Sequence, residues 1–371
     1  MRPFQYSRPD DAAEAVGLLA ARPGARVVAG GTDLVTLMRD GVRAPAHVVD
    51  IADLPWDEVV WQPDGGVRIG ALCRNAPLDP RLRQSYPLLA QALASGASPQ
   101  IRTMASFGGN LLQATRCPYF RMPEFPCNRR DPGSGCAAAD GGDSSRHAVF
   151  GATGSCVAVH PSDLAVALRA LDATVHLVGP SGRRSIPVGE LHRLPGGAPH
   201  REHALRRGEL IESVQLPPQP EGRRSRYLKF RDRASFAFAL VSVAVAVDVH
   251  GGGVRRARIA LGGVAAKPWR SVAAERALTG RPLDPETIDA AARAAARRAR
   301  PLPGNAYKVE LIRRCVRRAL TETAEHPGTA DAGGTTDTRS PGTGTTGTGT
   351  GTGKGKGAGT GTTGTETGGR R

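Results

Sequence analysis

The chain has 371 residues, a length that allows two domains or three small ones around a sizeable hydrophobic core. No apolar run reaches the roughly 18 residues of a membrane-spanning helix, which excludes an integral membrane protein, and the first residues predict no signal peptide. The net charge of +16 comes from basic residues interleaved with acidic ones. The charge alone therefore does not distinguish a bland basic surface from one that docks a nucleic acid or an acidic partner.

The first third of the chain reads as alternating helices and strands. From apolar spacing we predict, in chain order, a helix over 11–21, a strand over 26–29, a helix capped by Asp33 and running to Met38, a strand over 47–51, a strand over 67–72 and a helix over 79–97. The segment 98–110 shows little regular pattern. This alternation is typical of small α/β units.

Residues 114–155 break the pattern, because they are rich in Pro, Gly, Arg and Cys and have almost no periodic apolar spacing. A loop of roughly forty residues inside a compact domain is usually either functional or disordered. Its cysteines favour function, since a bound metal centre would supply the order that a hydrophobic core does not. Beyond it we predict a strand over 156–160, a helix over 162–171 and strands over 173–178 and 210–216.

The Pro-rich segment 217–222 is the best candidate domain boundary. After it we predict a three-stranded antiparallel sheet with helices on one face, formed by strands over 227–231, 237–249 and 256–264 and by helices over 270–278, 285–298 and 305–320. Residues 327–371 lack Leu, Ile, Val and aromatic residues, so we expect a disordered Gly/Thr-rich tail.

Two glycine pairs are candidate phosphate loops. Val27–Leu34 reads as a strand, a glycine pair and a helix start, and Thr103–Asn110 adds two hydroxyls and an Asn amide to a second glycine pair. Consecutive backbone N–H groups in such turns can cradle a phosphate. Each loop alone is equally well a plain tight turn. Two of them in separate α/β units indicate a long diphosphate cofactor held between subdomains.

The pairing of Ala29–Leu34 with Ala105–Asn110 resembles the flavin subunits of the molybdenum hydroxylases, the family of xanthine dehydrogenase, carbon monoxide dehydrogenase and aldehyde oxidoreductase. The resemblance covers roughly residues 1–325. It implies an α+β fold with a two-subdomain FAD-binding domain of the PCMH type, followed by an α+β C-terminal domain. The implied boundaries are 1–219 for the FAD-binding domain, with subdomains 1–55 and 56–219 and an insertion at 114–156, and 222–325 for the C-terminal domain.

In this family the two glycine loops hold the FAD diphosphate, and an Asp, a Lys and an apolar residue contact the flavin at positions that match Asp163, Lys229 and Ile211. One departure is Thr32–Asp33, where carbon monoxide dehydrogenase has His–Ser; backbone N–H groups carry the diphosphate contact, so we expect binding to persist. The implied cofactor-binding residues are Val27, Val28, Ala29, Gly30, Gly31, Thr32, Asp33, Leu34, Thr103, Ala105, Ser106, Gly109, Asn110, Gln113, Asp163, Ile211 and Lys229.

Four of the six cysteines, Cys117, Cys127, Cys136 and Cys156, fall within forty residues. Four thiolates suit a [4Fe–4S] cluster or a structural zinc ion, and the spacing is neither the short ferredoxin run nor paired CxxC knuckles. Buried reduced thiols are the remaining alternative, which the polar, Gly- and Pro-rich surroundings disfavour. The other two cysteines are expected to be ordinary core or surface thiols.

The sequence around these cysteines resembles the insertion in the flavin subunits of periplasmic aldehyde oxidoreductases, where four cysteines hold a [4Fe–4S] cluster. This resemblance implies the same role for Cys117, Cys127, Cys136 and Cys156. We expect His147 and His160 to be hydrogen-bonded structural groups, because four cysteines already complete a cluster. Nearby arginines are expected to offset the negative charge of the cluster, namely Arg116, Arg121, Arg129 and Arg130.

The sequence predicts no catalytic residue of its own, which fits a subunit in which FAD performs the redox chemistry. The resemblance implies that an aldehyde is oxidised at the molybdenum cofactor of a separate large subunit. Electrons would then pass through two [2Fe–2S] clusters on a small subunit to FAD in this chain and on to an external acceptor. The resemblance favours the periplasm, reached by co-export with a partner; the cytoplasm is the other compartment.

Two other functions stay open at this point. One is a flavin subunit of a related molybdenum hydroxylase that acts on purines, nicotinate or an aromatic acyl-CoA. The other, of a different class, is a basic zinc-knuckle adaptor that binds nucleic acid. With only 4% aromatic residues the chain lacks the stacking platforms of such adaptors, and that function leaves both glycine loops unexplained. We therefore expect no nucleic-acid partner and no membrane insertion.

Overall fold

A computed structural model describes residues 1–220 and 223–325. The expected tail over 327–371 and part of the expected boundary, residues 221 and 222, lie outside this description. The described residues belong to one compact unit. No helix of the described chain is both long and apolar enough to cross a membrane.

The first part of the fold is a small parallel sheet in the order β1-β3-β2. Its elements are β1 (Gln5–Ser7), α1 (Ala12–Ala21), β2 (Arg26–Val28), α2 (Leu34–Arg39) and β3 (His47–Asp50). Helix α1 begins at Asp11, whose carboxylate accepts from the N–H of Glu14, and it buries Ala15, Val16 and Leu19. Both predicted helices and both predicted strands of this part are present.

The second part is an antiparallel sheet in the order β4-β5-β8-β6-β7, with short helices around it. The strands are β4 (Val59–Trp61), β5 (Val67–Gly70), β6 (Thr174–Gly179), β7 (Gly182–Pro187) and β8 (Leu210–Leu216). The helices are α3 (Pro80–Ser85), α4 (Pro87–Ser95), α5 (Pro99–Met104), α6 (Phe107–Leu111), α7 (Pro118–Arg121), α8 (Asp163–Ala170) and α9 (Val188–Leu191).

Two expectations for this part are wrong. The single helix over 79–97 is two helices, because Pro87 lacks the N–H that would continue α3 and instead begins α4 after Tyr86. The strand over 156–160 is absent. Cys156 makes only an isolated bridge to Thr153, and the N–H of His160 donates to the carbonyl of Ala265, so this main chain is bonded to loops and not to a sheet.

The C-terminal part is an antiparallel sheet in the order β12-β11-β10-β9, in which a two-residue strand extends the three predicted strands. Its elements are β9 (Arg223–Phe230), β10 (Val241–His250), β11 (Gly253–Gly262), β12 (Trp269–Arg270), α10 (Val272–Leu278), α11 (Pro285–Ala296) and α12 (Tyr307–Glu325). Strand β10 is buried on both faces. Val243 and Val245 join the core under the C-terminal helices, whereas Ala244 and Ala246 join the core of the second part. Small alanines on one face let helices α4 and α8 approach the sheet.

Candidate cofactor sites

A cavity of about 820 Å³ lies where the first and second parts of the fold meet, with residues of β9 and the loop after it on one wall. The first glycine loop, between β2 and α2, and the second, which spans the end of α5 and the start of α6, both line the cavity. Gly31 in the first loop has φ +69, a conformation that favours glycine. A Cβ at Gly30 would overlap the carbonyl oxygen of Met104. The two loops are therefore pressed together, and only glycine allows it.

The second loop is held by its own side chains. The Ser106 hydroxyl accepts from the N–H of Gly109 at 3.2 Å and so begins α6. The Oδ1 atom of Asn110 accepts from the Ser162 hydroxyl at 2.7 Å and from Gln113 Nε2 at 2.8 Å. These bonds orient the Asn110 amide at the cavity wall, as binding to a polar ligand requires.

A buried charged pair stands on the same wall. Asp163 Oδ2 accepts from Lys229 Nζ at 2.7 Å, and its Oδ1 accepts from the Tyr227 hydroxyl at 2.6 Å. Lys229 Nζ also donates to the Ser95 carbonyl at 3.0 Å. Burial, and next the charge of Asp163, raise the pKa of Tyr227 well above its usual value. Helix α8 and strand β9 thus bring together two residues that are far apart in sequence.

Asp33 differs from the expectation that it caps α2 through its side chain. It precedes the helix, but its carboxylate makes no cap hydrogen bond. Instead the carboxylate pairs with Arg116 at 2.8 Å and with Arg121 at 2.9 Å, and it accepts from the N–H of Ala114 at 2.8 Å. The first glycine loop is thereby tied to the start of the cysteine-rich insertion.

All the residues expected to bind the cofactor line this cavity except Thr103. Thr103 is exposed, and its hydroxyl donates to the Gln100 carbonyl. Sequence reasoning missed Asn75 and His203, which line the cavity. Asn75 Oδ1 and His203 Nδ1 are buried and have no hydrogen-bond partner. A lone Asn or His between irregular segments carries no motif, so nothing in the pattern could have found them. Unpaired polar atoms in a wall with crowded glycines fit a long polar cofactor such as FAD.

The four cysteines of the insertion line a second, small cavity together with Tyr119 and Phe120. None of them is in a disulfide. Burial is the main cause that raises the pKa of Cys117 to about 12, so a bound metal would have to displace its proton. Within residues 1–220 and 223–325, no three His, Cys, Asp or Glu side chains are arranged to hold a single metal ion. The iron–sulfur assignment therefore stays a prediction.

The arginines around this second cavity only partly match the expectation that they offset the charge of a cluster. Arg129 Nη2 donates to Cys156 Sγ at 3.7 Å and its Nη1 to Glu202 at 2.8 Å, and Glu202 lines the large cavity. Arg116 and Arg121 pair with Asp33 instead, and Arg130 donates to main-chain carbonyls such as that of Tyr119. Of the four arginines expected to offset the cluster charge, Arg129 is the one that contacts a cysteine sulfur.

His147 and His160, the two histidines expected to be structural, have different neighbours. His147 Nε2 lies 3.2 Å from Cys117 Sγ. His160 Nε2 and His192 Nε2 both contact the carbonyl oxygen of Leu111, at 3.2 and 2.8 Å, with ring centroids 4.0 Å apart. Burial holds the pKa of both residues below the usual value, for His192 at about 4. His160 is thus the hydrogen-bonded structural group that was expected.

Comparison with known families identifies the class. A model described as the FAD binding domain in molybdopterin dehydrogenase matches residues 2–219, and one described as the CO dehydrogenase flavoprotein C-terminal domain matches residues 226–323. The chain belongs to the FAD-binding subunits of the molybdenum hydroxylases and is an oxidoreductase subunit. This confirms the expected family and α+β fold class, and it decides against a zinc-knuckle adaptor.

Individual relatives show which members of this family the chain is similar to. The chain is 46% identical over 326 residues to the aldehyde oxidoreductase FAD-binding subunit PaoB of Escherichia coli K12, covering 87% of this chain and 98% of that protein. It is 30% identical over 327 residues to the 6-hydroxypseudooxynicotine dehydrogenase complex subunit alpha of Paenarthrobacter nicotinovorans, covering 86% and 94%. A chain of the carbon monoxide dehydrogenase from Hydrogenophaga pseudoflava superposes with a TM-score of 0.69 at 27% identity, covering 87% and 98%.

Proposed function

We propose that this chain is the FAD- and [4Fe–4S]-carrying electron-transfer subunit of a molybdenum-dependent aldehyde oxidoreductase. The observation that carries the proposal is the cavity walled by both glycine loops, in a chain 46% identical to an aldehyde oxidoreductase FAD-binding subunit. FAD, when bound, supplies a centre that takes up and releases electrons. The chain itself binds the cofactor, orients it and keeps water away.

The cofactor-binding role is assigned to the cavity residues. The N–H groups of Gly30–Leu34 would hold the diphosphate, since they belong to a turn that leads into helix α2. The second loop would contribute its side chains, Ser106 and Asn110, because the N–H groups of residues 107–110 already donate within the chain. Lys229 and Asp163 would present a charged pair to the cofactor, and Asn75 and His203 would find partners on it. Thr103 drops out of this set because its hydroxyl bonds within α5.

The cluster is assigned to Cys117, Cys127, Cys136 and Cys156. Support comes from their common cavity, from their free thiols and from the contact of Arg129 with Cys156. A cationic group beside a thiolate-ligated cluster favours its more negative, reduced state. Arg129 also reaches Glu202 in the wall of the FAD cavity, so the two sites share a side-chain connection.

The partners follow from the family. We infer a large subunit with the molybdenum cofactor, a small subunit with two [2Fe–2S] clusters and an external electron acceptor. Aldehydes are the favoured substrates, because a xanthine dehydrogenase FAD-binding subunit from E. coli K12 is only 26% identical, against 46% for PaoB. Purines, nicotinate or aromatic acyl-CoA remain the alternative. The periplasm, by co-export with a partner, is proposed before the cytoplasm.

The first test is the visible spectrum of the full chain purified without oxygen, with FAD and iron quantified on the same sample. We expect flavin bands near 450 nm over a broad cluster shoulder, with about one FAD and about four irons per chain. FAD without iron after reconstitution would refute the cluster assignment alone. A protein that takes up no FAD would refute the proposal as a whole.

Substitution of two different cysteines supplies a matched control for the cluster assignment. Cys156→Ser should remove most of the iron and leave FAD in place. Cys73→Ser should change neither content, because Cys73 is buried beside the β5 strand and its thiol donates to the Glu58 carbonyl. Equal iron loss in both variants would mean that cysteine substitution harms the fold and not a cluster.

A further inference from the structure

We propose that His147 donates a hydrogen bond from Nε2 to the sulfur of Cys117 and thereby raises the reduction potential of the iron–sulfur cluster. The inference rests on the proposed function, because it requires Cys117 to be a cluster ligand. It goes beyond that function because it gives His147 a role in setting the reduction potential of the cluster. Hydrogen bonds to ligating sulfurs are among the factors that set cluster potentials.

The geometry places a nitrogen at hydrogen-bonding distance from the sulfur. His147 is buried, and its Nε2 lies 3.2 Å from Cys117 Sγ. Its ring stacks beside Tyr119, with centroids 6.2 Å apart and an interplanar angle of 27°. The other side-chain donor at a cysteine of the insertion, Arg129, lies further from its sulfur, at 3.7 Å from Cys156. The His147 contact is therefore the closer of the two.

The direction of the bond follows from the chemistry of both partners. A ligating cysteine is a thiolate without a proton, so the contact is a hydrogen bond only if the imidazole donates. His147 Nδ1 is buried and has no hydrogen-bond partner. A proton on Nδ1 would be an unpaired buried donor, which costs about 1–3 kcal/mol. The favoured tautomer of neutral His147 thus carries its proton on Nε2, toward the sulfur.

The C-terminal domain holds the His147 main chain in place. Its carbonyl oxygen accepts from Asn305 Nδ2 at 3.1 Å and from Lys308 Nζ at 3.0 Å. Lys308 Nζ also donates to the Gly263 carbonyl at 2.8 Å, which ties the segment to the end of strand β11. Both donors are fully buried at the start of α12. The main chain that carries His147 is therefore fixed next to Cys117 by bonds to the C-terminal domain.

The neighbouring residues are held from the same side. The Tyr307 hydroxyl donates to the Ser145 carbonyl at 2.9 Å, and the N–H of Gly304 donates to the Ser144 hydroxyl at 3.2 Å. The segment that carries His147 is thus anchored at several points by residues 304–308. Such anchoring is what an orienting group needs if its distance to a ligand is to stay constant.

The decisive experiment uses the full chain with its cluster, labelled with ¹⁵N at histidine and reduced by one electron. Pulsed electron paramagnetic resonance should detect a ¹⁵N hyperfine coupling from a histidine. His147→Leu should abolish that coupling and shift the cluster midpoint potential to a more negative value, with the iron content unchanged. His147→Gln, which keeps an N–H donor, should recover part of the potential shift. His176→Leu is the matched control, since His176 bonds to Ser185 and Gln215 and should alter neither quantity.

The outcomes separate this inference from the proposed function. About four irons per chain, with no ¹⁵N coupling in the labelled protein, would overturn the role of His147 and leave the cluster assignment standing. An unchanged potential in His147→Leu at full iron content would do the same. If His147→Leu loses its iron, the coupling in the labelled unsubstituted chain still decides. Failure of the unsubstituted chain to bind iron would overturn the cluster assignment and the inference with it.

Discussion

The two candidate sites of this chain are built in opposite ways. The FAD cavity is walled by regular elements and by close-packed backbone, as at Gly30, where a side chain would overlap Met104. The insertion over 114–156 contains one four-residue helix and is held by main-chain turns and by side chains that bond to main chain, such as Arg130 and Asn128. The cavity is therefore preformed by the fold, whereas the insertion has little hydrophobic core of its own. A bound cluster would supply its missing stability.

Charged pairs and an apolar cluster connect the two sites, the cluster being formed by Leu37 of the large cavity with Phe120 and Cys127 of the small one. Asp33 joins the first glycine loop to Arg116 and Arg121 of the insertion, and Arg129 joins the insertion to Glu202 of the cavity wall. Because Gly30 packs against Met104 and not against the insertion, we expect its substitution to affect mainly FAD, and we expect substitution of Cys156 to affect mainly the cluster. Changes to Asp33 should affect both. The following experiments test that division, from the largest expected effect to the smallest.

Gly30→Ala should abolish FAD binding and leave the iron content unchanged. The added methyl would overlap the Met104 carbonyl and force the two glycine loops apart. We expect the purified variant to carry no FAD by absorbance and to bind added FAD at least 100-fold more weakly by titration, about 2.7 kcal/mol or more. Gly17→Ala is the control, since a Cβ there meets nothing within 4 Å in helix α1. Unchanged FAD affinity in Gly30→Ala would contradict the close contact of the loops.

Loss of the cluster should loosen the insertion without opening the FAD cavity. In Cys156→Ser, amide hydrogen exchange across 117–156 should rise at least tenfold, while exchange in β5 and β8 stays as in the unsubstituted chain. The reason is that metal binding and local folding are coupled where a core is missing. Slow exchange in the insertion of the iron-free variant would show that side-chain bonds alone order this segment.

Asp33→Asn should weaken both sites. The neutral amide removes the charge from both ion pairs with Arg116 and Arg121 and leaves weaker hydrogen bonds, with a cost of about 2 kcal/mol in the free energy of unfolding. We expect FAD affinity to fall about tenfold and the midpoint of thermal unfolding to drop. Asp40→Asn, at an exposed ion pair with Arg39, should cost less than about 0.5 kcal/mol. If Asp33→Asn changed only the iron content, the tie to the glycine loop would be unimportant.

Lys308 should make stability depend on pH at the junction with the C-terminal domain. Burial lowers its pKa in the folded chain from 10.5 to about 7. Between these values the unfolded chain binds a proton that the folded chain does not, so Lys308 makes the free energy of unfolding rise with pH by up to ~1.4 kcal/mol per pH unit. Comparing unfolding of the unsubstituted chain and Lys308→Met at about pH 8 and pH 9 should expose this difference. Parallel curves would mean that Lys308 stays protonated in the fold.

Particular elements show how far sequence patterns reach. Helices α1 and α12 follow from apolar spacing, because each buries one face, and strands β2, β3 and β8 follow from short apolar runs. The prediction of a single helix over 79–97 was wrong because it followed the apolar pattern across Pro87, although a proline at that position predicts a break. The strand over 156–160 was wrong because its apolar residues pack into loops. Both errors arise where tertiary neighbours decide what the main chain bonds to.

By itself, the sequence determined the family, the fold class, the two glycine loops and the four-cysteine set, because these depend on residue types at fixed spacing. Only the tertiary structure decided which residues face the cavity: it brought in Asn75 and His203, left out Thr103, and turned Asp33 from a helix cap into a link with the insertion. It also placed His147 against Cys117, 30 residues away in sequence, and bonded His147 to Asn305, 158 residues away. Residue spacing identifies the chemical groups within one segment. Contacts between segments depend on how the whole chain packs, which no single segment encodes.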